Sequence, residues 1–372
     1  MKPVVLIAAI SSRAYVQAAV AAGFEVIALD VFCDVETQKL AKKVLKVKLN
    51  NGQFEAEAFY KTLTQIDCDH LYGFTIGAGF EATPELLLNE MMLNKTIASI
   101  PAIYNAPEVM RAVKNPQTFF AFCDSVKMHY PETQFIKPKH SIDWLQKRIG
   151  GSGGAHIKAV LPLDLQLDVT ASTTFYYQKV QIGLPISCLF LTDGKNTQVI
   201  GFNEQLCSKS EILSYRYGGA VSQIDLPESV VKQITHFVQA ISHQFGLKGI
   251  NSADFLLDNE TVYALEINPR LSATLDLYRA QKGNLFGAHV QACLNQSVEW
   301  PVIDKKISRA HYVVYAKKTA NVPIEMDWPE WVSDIPQPCV EIAAGQPICT
   351  VIAEARTAKL AKKKLLQRAS EL

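Results

Sequence analysis

Glu266, Asn268 and Arg270 alternate along the segment ALEINPRLSAT, residues 264–274. Alternation at period two places all three on one face of an extended segment. Asp254 lies twelve residues before Glu266 (266 − 254), in SADFLLD, and Asp258–Asn259 between them read as a tight turn. The two runs should pair as antiparallel strands, bringing both carboxylates to one end. Two carboxylates and an amide oxygen suit a hard, oxygen-preferring cation, magnesium, with manganese as a substitute. Arg270 beside them offers a planar fork to a carboxylate or a phosphoryl group. The same four residues could instead cap a sheet edge with ion pairs.

A second cluster is QKRIGGSGGAHI. Lys147 sits in a strand-like run, and Gly150, Gly151, Ser152, Gly153 and Gly154 follow at once. Glycines let backbone N–H groups turn toward a polyphosphate, and a nearby lysine adds charge. Lysine precedes the glycines and no helix clearly follows, so this is not a Walker A loop. A plain glycine-rich hairpin turn is the other reading. His156 is expected to pack at the start of the next strand. A third stretch, YYQKVQIGLPIS, leaves a hairpin region and could present the backbone at Gln178, Lys179 and Val180 to a purine edge.

These residues need a scaffold. VVLIAAI, EVIALDV, VLKVKL and HLYGFTI are strand-like runs, alternating with the helix AYVQAAVAAGF and another near residues 53–64. That alternation predicts a parallel, Rossmann-like sheet. Its first turn, AISSRA, lacks G-x-G-x-x-G, which disfavours a nicotinamide cofactor. PEVMRAVKNPQTFFAFCDS reads as helix broken at Asn115–Pro116, and the runs DWLQKRI to TQVIGFNEQL read as one antiparallel meander. PESVVKQITHFVQAISHQFGL, with Pro227 in its first turn, is an amphipathic helix packed on a sheet. Its His236 and His243 have no partner motif for a metal. Short strands and the helix TAKLAKKKLLQRAS close the chain, with Lys362, Lys363 and Lys364 on a solvated face.

The chain has 372 residues, 37 basic and 36 acidic, which gives no electrostatic case for a nucleic-acid or membrane partner. The first apolar run is too short to span a bilayer and reads as a strand, not a signal peptide. Eight cysteines with no C-x-x-C fit reduced thiols in a cytoplasm.

In this order the three clusters resemble the ATP-grasp superfamily, in the group of carboxylate–amine ligases and carboligases related to biotin carboxylase. The resemblance implies an α/β fold: a Rossmann-like pre-ATP-grasp domain (1–105), a small α+β lid (106–182), a central ATP-grasp domain with the metal site (183–300) and a C-terminal extension (301–372). It implies ATP held by Lys114, Lys147, Gly150, Gly151, Ser152, Gly153, Gly154, Gln178, Lys179, Val180, Asp254 and Glu266. It implies magnesium on Asp254, Glu266 and Asn268, with catalysis by Arg270 and Lys147. Gln178 stands where a glutamate is commoner.

The chemistry implied is phosphorylation of a carboxylate by ATP to an acyl phosphate, then attack by an amine. The partners would be a small carboxylate and an amine, without nucleic acid or membrane, and a homodimer is allowed. The group is also similar to proteins of one-carbon coenzyme biosynthesis. Ser12, Arg13, Asp30, Gly77, Gly79, Glu81, Arg216, Gly218 and Gly219 are candidates to line the acceptor site. The competing readings are an ATP-binding sensor with reduced catalysis and a biotin-carboxylase-like carboligase.

Overall fold

The computed structural model describes residues 2–50, 52–67, 70–87, 100–139, 142–160, 174–208, 210 and 213–372. Cys68 lies outside them; the other seven cysteines are free thiols.

The first sheet is parallel. Strand β1 (Val4–Ala9) pairs with β2 (Glu25–Asp30) on one side and β4 (Leu71–Ile76) on the other; β3 (Lys43–Lys46) and β5 (Ala102–Ile103) form the edges. Helices α1 (Arg13–Ala21), α2 (Val35–Leu40) and α3 (Ala56–Leu63) lie between the strands. Alternate residues of β1 enter two different cores. Leu6 and Ala8 pack with Phe54, Phe59 and Phe80, whereas Val5, Ile7 and Ala9 pack with α1, Leu189, Leu191 and Ile250. Both faces are therefore buried, as a continuous apolar run requires in a parallel sheet.

Helices α4 (Pro107–Lys114) and α5 (Pro116–Ser125) are separated by Asn115, whose side chain caps α5 at the Thr118 N–H. The strand runs that follow do not make one meander. Strands β6 (Thr133–Gln134), β7 (Trp144–Arg148), β8 (Ile157–Ala159) and β9 (Phe175–Lys179) form a four-stranded sheet, ordered β8-β7-β9-β6. The chain then leaves for a second sheet through Gly183, which lies against the Leu257 carbonyl.

That sheet begins with β10 (Leu184–Thr192), β11 (Thr197–Cys207) and β12 (Tyr217–Ser222). After helix α6 (Glu228–Phe245) come β13 (Gly249–Asp258) and β14 (Thr261–Asn268). The order β14-β13-β10-β11-β12 continues into β15 (Ser308–Tyr315), β17 (Pro347–Ala355) and β16 (Val332–Ser333). The C-terminal strands are longer than expected and extend the central sheet, with helix α8 (Ala358–Ser370) laid over them. Helix α6 buries Val230, Ile234, Phe237, Val238 and Ile241 against Phe190, Phe255 and Ala264. Pro227 is its N-cap rather than a first-turn residue. Lys362 of α8 pairs with Glu204, so one of the three lysines expected to be solvated anchors the helix.

Helix α7 (Leu285–Cys293) is wedged between the two large sheets. Its His289 accepts from the Ile250 N–H at Nδ1, so Nε2 carries the proton and faces the Ile103 carbonyl and the Thr75 hydroxyl. Among the described residues no helix is long and apolar enough to cross a membrane.

Arg13, at the start of α1, is 4% exposed and binds Asp276 at 2.8 Å and Asp334 at 2.9 Å. One guanidinium thus joins three distant parts of the chain. Arg13→Met strands Asp276 and Asp334 without a counter-charge. Its expected cost is about 3–5 kcal/mol, read as a shift of the chemical denaturation midpoint.

Candidate active site

Asp254 of β13 and Glu266 of β14 face each other directly in the antiparallel ladder, and Ser252 faces Asn268. The register slips by one residue just beyond Asp254, where Phe255 pairs with Ala264. This bulge leaves Leu265 and Glu266 opposite one residue and re-aims the strand end. Pro269, which has no N–H to continue the ladder, ends β14, and the Arg270 N–H turns back to the Asn268 carbonyl. Asn105 then donates to the Pro269 carbonyl at 3.0 Å, fixing that turn to the segment after β5.

The polar atoms converge. Asn268 donates through Nδ2 to Asp254 at 3.0 Å, which leaves its Oδ1 for Lys114 at 2.9 Å. The Lys114 ammonium also binds Glu266 at 3.0 Å. Gln205 of β11 reaches past β10 to donate to Asp254 at 2.9 Å. Burial pushes the Asp254 carboxyl well above the usual carboxylate range, and the neighbouring Glu266 charge raises it further. Burial would raise Glu266 too, but Lys114 overrides that and holds it below its ordinary value.

Lys147, 7% exposed on β7, donates to the Gln178 carboxamide oxygen at 2.7 Å; Gln178 is 1% exposed and donates in turn to the Thr133 hydroxyl. Gln178 pairs with Leu145, so Lys147 is its diagonal cross-strand neighbour. Lys179 points outward to Glu132, and Val180 is exposed. The backbone N–H groups of Lys179 and Val180 already donate to the Glu132 and Asp143 carbonyls. This stretch therefore does not keep those two donors for a purine edge.

The glycine segment lies beside Glu266, across a small cavity. The Tyr217 N–H donates to the Gly153 carbonyl at 2.9 Å, and Gly150 rests on the backbone of Glu81 and Ala82. Gly154 has φ +74°, and a Cβ there would stand 1.8 Å from the Tyr215 carbonyl oxygen. His156 packs its ring on Gly151 and bonds Ser152, as expected for a strand-start residue. A small cavity between loop and sheet is lined by Lys114, Gly150, Gly151, His156 and Glu266.

Arg270 binds Glu81 at 2.9 Å and the Leu271 carbonyl at 3.1 Å, through Nε and Nη1. Glu81 is fully buried and also accepts from the Gly79 and Phe80 N–H groups. The Arg270 charge and these bonds hold its carboxyl below the usual range against the burial that would raise it. The structure therefore brings together Asp254, Glu266, Asn268, Lys114 and the glycine loop. Lys147 acts on the pair through its charge, and Arg270 borders it.

The acceptor-site candidates divide. Glu81 orients Arg270. Ser12 donates twice to Asp30, and Arg13 is tied to its two aspartates. Arg216 is held by the Ser208 and Gly345 carbonyls and stacks 3.6 Å over Tyr315. Gly77, Gly79, Gly218 and Gly219 are each crowded by neighbouring atoms and serve packing. Sequence reasoning missed Gln205 and the partly buried pair Tyr217–His311, 2.7 Å apart. Nothing local signals these, because their partners come from strands far along the chain.

Gly154→Ala should lift the loop from Tyr215. The expected loss is about 10²-fold in nucleotide-dependent turnover, the scale of an ångström-level misplacement, with a melting temperature lowered by only a few degrees; steady-state kinetics beside a thermal melt checks it.

Residues 113–274 match the model of the ATP-grasp domain. An uncharacterised protein of Methanocaldococcus jannaschii is 25% identical over 263 residues, which cover 68% of this chain and 63% of that protein. Pyruvate carboxylase of Rhizobium etli superposes with a TM-score of 0.74 at 14% identity, over 99% of this chain and 37% of its own. The biotin carboxylase domain of the Hydrogenobacter thermophilus 2-oxoglutarate carboxylase, a dimer solved with MgADP and bicarbonate, gives 0.73 at 12%, covering 100% and 90%. An L-amino acid ligase of Bacillus licheniformis gives 0.70 at 13%, covering 100% and 98%. The chain thus spans less than two thirds of the curated relative and of the pyruvate carboxylase chain. Paired carboxylates, an amide, two lysines and a closing glycine loop sit within the segment that matches the ATP-grasp domain, residues 113–274, and the chain as a whole takes the ATP-grasp fold.

Proposed function

We propose that the protein is an ATP- and magnesium-dependent ligase, which activates a carboxylate as an acyl phosphate and passes the acyl group to an amine. The observation that carries this reading is the register pairing of Asp254 with Glu266, joined by Asn268 and by Lys114, under the glycine loop. The donor set is oxygen only, and the Lys114 ammonium rests on two of those oxygens, so they accept a cation. Carboxylate and amide oxygens, as on Asp254, Glu266 and Asn268, suit magnesium with retained waters better than zinc.

Asp254, Glu266 and Asn268 would hold the metal, which when bound supplies charge neutralisation between two anionic reactants. Lys114 and the protonated Lys147 supply positive charge for the phosphates, and Gly150 to Gly154 exclude water from them. Arg270, oriented by Glu81, faces the acid and stabilises charge on the transferring group. The oxygen of the carboxylate attacks the γ-phosphorus and ADP leaves. The amine then adds to the acyl carbon and phosphate leaves.

The acids we propose to try first are amino acids and glutamate- or pterin-linked acids, the last for the one-carbon role that the sequence resemblance suggests. A homodimer is the assembly we propose.

The test is phosphate release from MgATP over a panel of carboxylates and amines, with and without bicarbonate, beside Glu266→Gln. Release that needs one acid, yields a hydroxamate when hydroxylamine replaces the amine, and falls about 10²–10³-fold in the variant supports the ligase. A bicarbonate requirement would move the assignment to a carboligase. MgATP binding without release from any pair would favour a binding module, and absence of nucleotide binding would overturn both.

A further inference from the structure

Lys147 is a buried cation whose bonded partner is a neutral carboxamide. The Gln178 oxygen takes its ammonium at 2.7 Å, and the Gln178 nitrogen is anchored on Thr133, so the amide cannot turn away. No carboxylate is hydrogen-bonded to Lys147 among the described residues. We propose that Gln178 sets the charge of the nucleotide site, so that binding of a nucleotide polyphosphate draws one proton from solvent onto Lys147. The inference rests on the ATP-binding reading above and concerns how that same site is charged.

The charged groups around Lys147 support it. Glu266 and Asp254 act on it from β14 and β13 and favour its protonated form, whereas Lys114, from α4, opposes it. His156 faces it from the loop before β8 and is held neutral by burial, so it adds little charge. Gln178 and Thr133, on β9 and β6, are neutral. Burial outweighs the two carboxylates and brings the ammonium down to about 8.

A polyphosphate entering beneath the glycine loop adds negative charge beside Lys147 and restores it to the fully protonated form. The sign follows from linkage: a lysine lowered in the free protein and raised in the complex takes up protons on binding. The contribution of Lys147 to affinity is full below about pH 8, and its loss weakens binding by up to about tenfold per pH unit above it. A glutamate at 178 would pair ionically with Lys147, keep it protonated, and abolish the uptake.

The test is calorimetric titration of the full chain with MgADP, which cannot turn over, in buffers of differing ionisation enthalpy. The wild type should take up about half a proton per nucleotide at pH 8 and more at pH 9. Gln178→Glu should bind with no uptake at pH 8. Lys147→Arg, whose guanidinium does not titrate there, should also bind with no uptake and decides the matter if Gln178→Glu fails to fold. Binding by the wild type without uptake at pH 8 and 9, or uptake retained in the variants, would overturn the proposal while leaving the ATP reading intact. Failure of the wild type to bind MgADP at any pH would overturn both.

Discussion

Two half-buried carboxylates facing each other across a β-ladder are costly to keep charged without cations close by. In this protein that demand is met from separate parts of the chain. Lys114 arrives from the end of α4, Lys147 from the four-stranded sheet, and Arg270 from just beyond Pro269. The acidic pair is therefore also a mechanical junction. Lys114 binds Glu266 and Asn268 directly, and Lys147 lowers Glu266 at longer range. Electrostatics and architecture are one problem here: the cost of the carboxylates is offset only when the surrounding elements are in place.

The N-terminal sheet meets the same need from the other side. Glu81 supplies Arg270 with a permanent counter-charge, so the guanidinium is aimed rather than free to collapse onto Asp254 or Glu266. Arg13 with Asp276 and Asp334, and Asn105 with Asn251 and Pro269, repeat the pattern of a buried polar group tying the first sheet to the central one. Beneath these bonds runs a shared apolar core in which Val5 and Ile7 meet Leu189 and Ile250. Sites built on such continuous packing are held in a narrow range of geometries.

Much of this was legible in the sequence where the signal is local. The turn at Asp258–Asn259 and the alternation after it were enough to pair Asp254 with Glu266, and the parallel sheet followed from strand–helix alternation. The helix break at Asn115 carried its own cap. Long-range choices left no such mark. The runs from Trp144 to Cys207 look alike in hydrophobic pattern, yet they divide between two sheets, the chain passing from one to the other at Gly183. The bulge at Phe255, the reach of Gln205 across a strand and the Glu81–Arg270 bond, 189 residues apart, depend on tertiary neighbours that periodicity cannot reveal. Arg13 and Arg216 read equally well as ligand-binding side chains until their partners are seen.

The continuation of the central sheet into the C-terminal strands bears on synthesis of the protein. β12 ends at Ser222, and its outer partner β15 begins at Ser308, 86 residues later (308 − 222). At ordinary translation speeds those residues take roughly 5–20 s to emerge, during which the edge of β12 carries unpaired backbone groups. Tyr217, which latches the glycine loop, lies on that edge. The nascent chain thus passes through an interval with residues 113–274 already made and one strand open to pairing with a neighbour. Cells making this protein face a matter of timing on the ribosome, set by where a single strand falls in the gene.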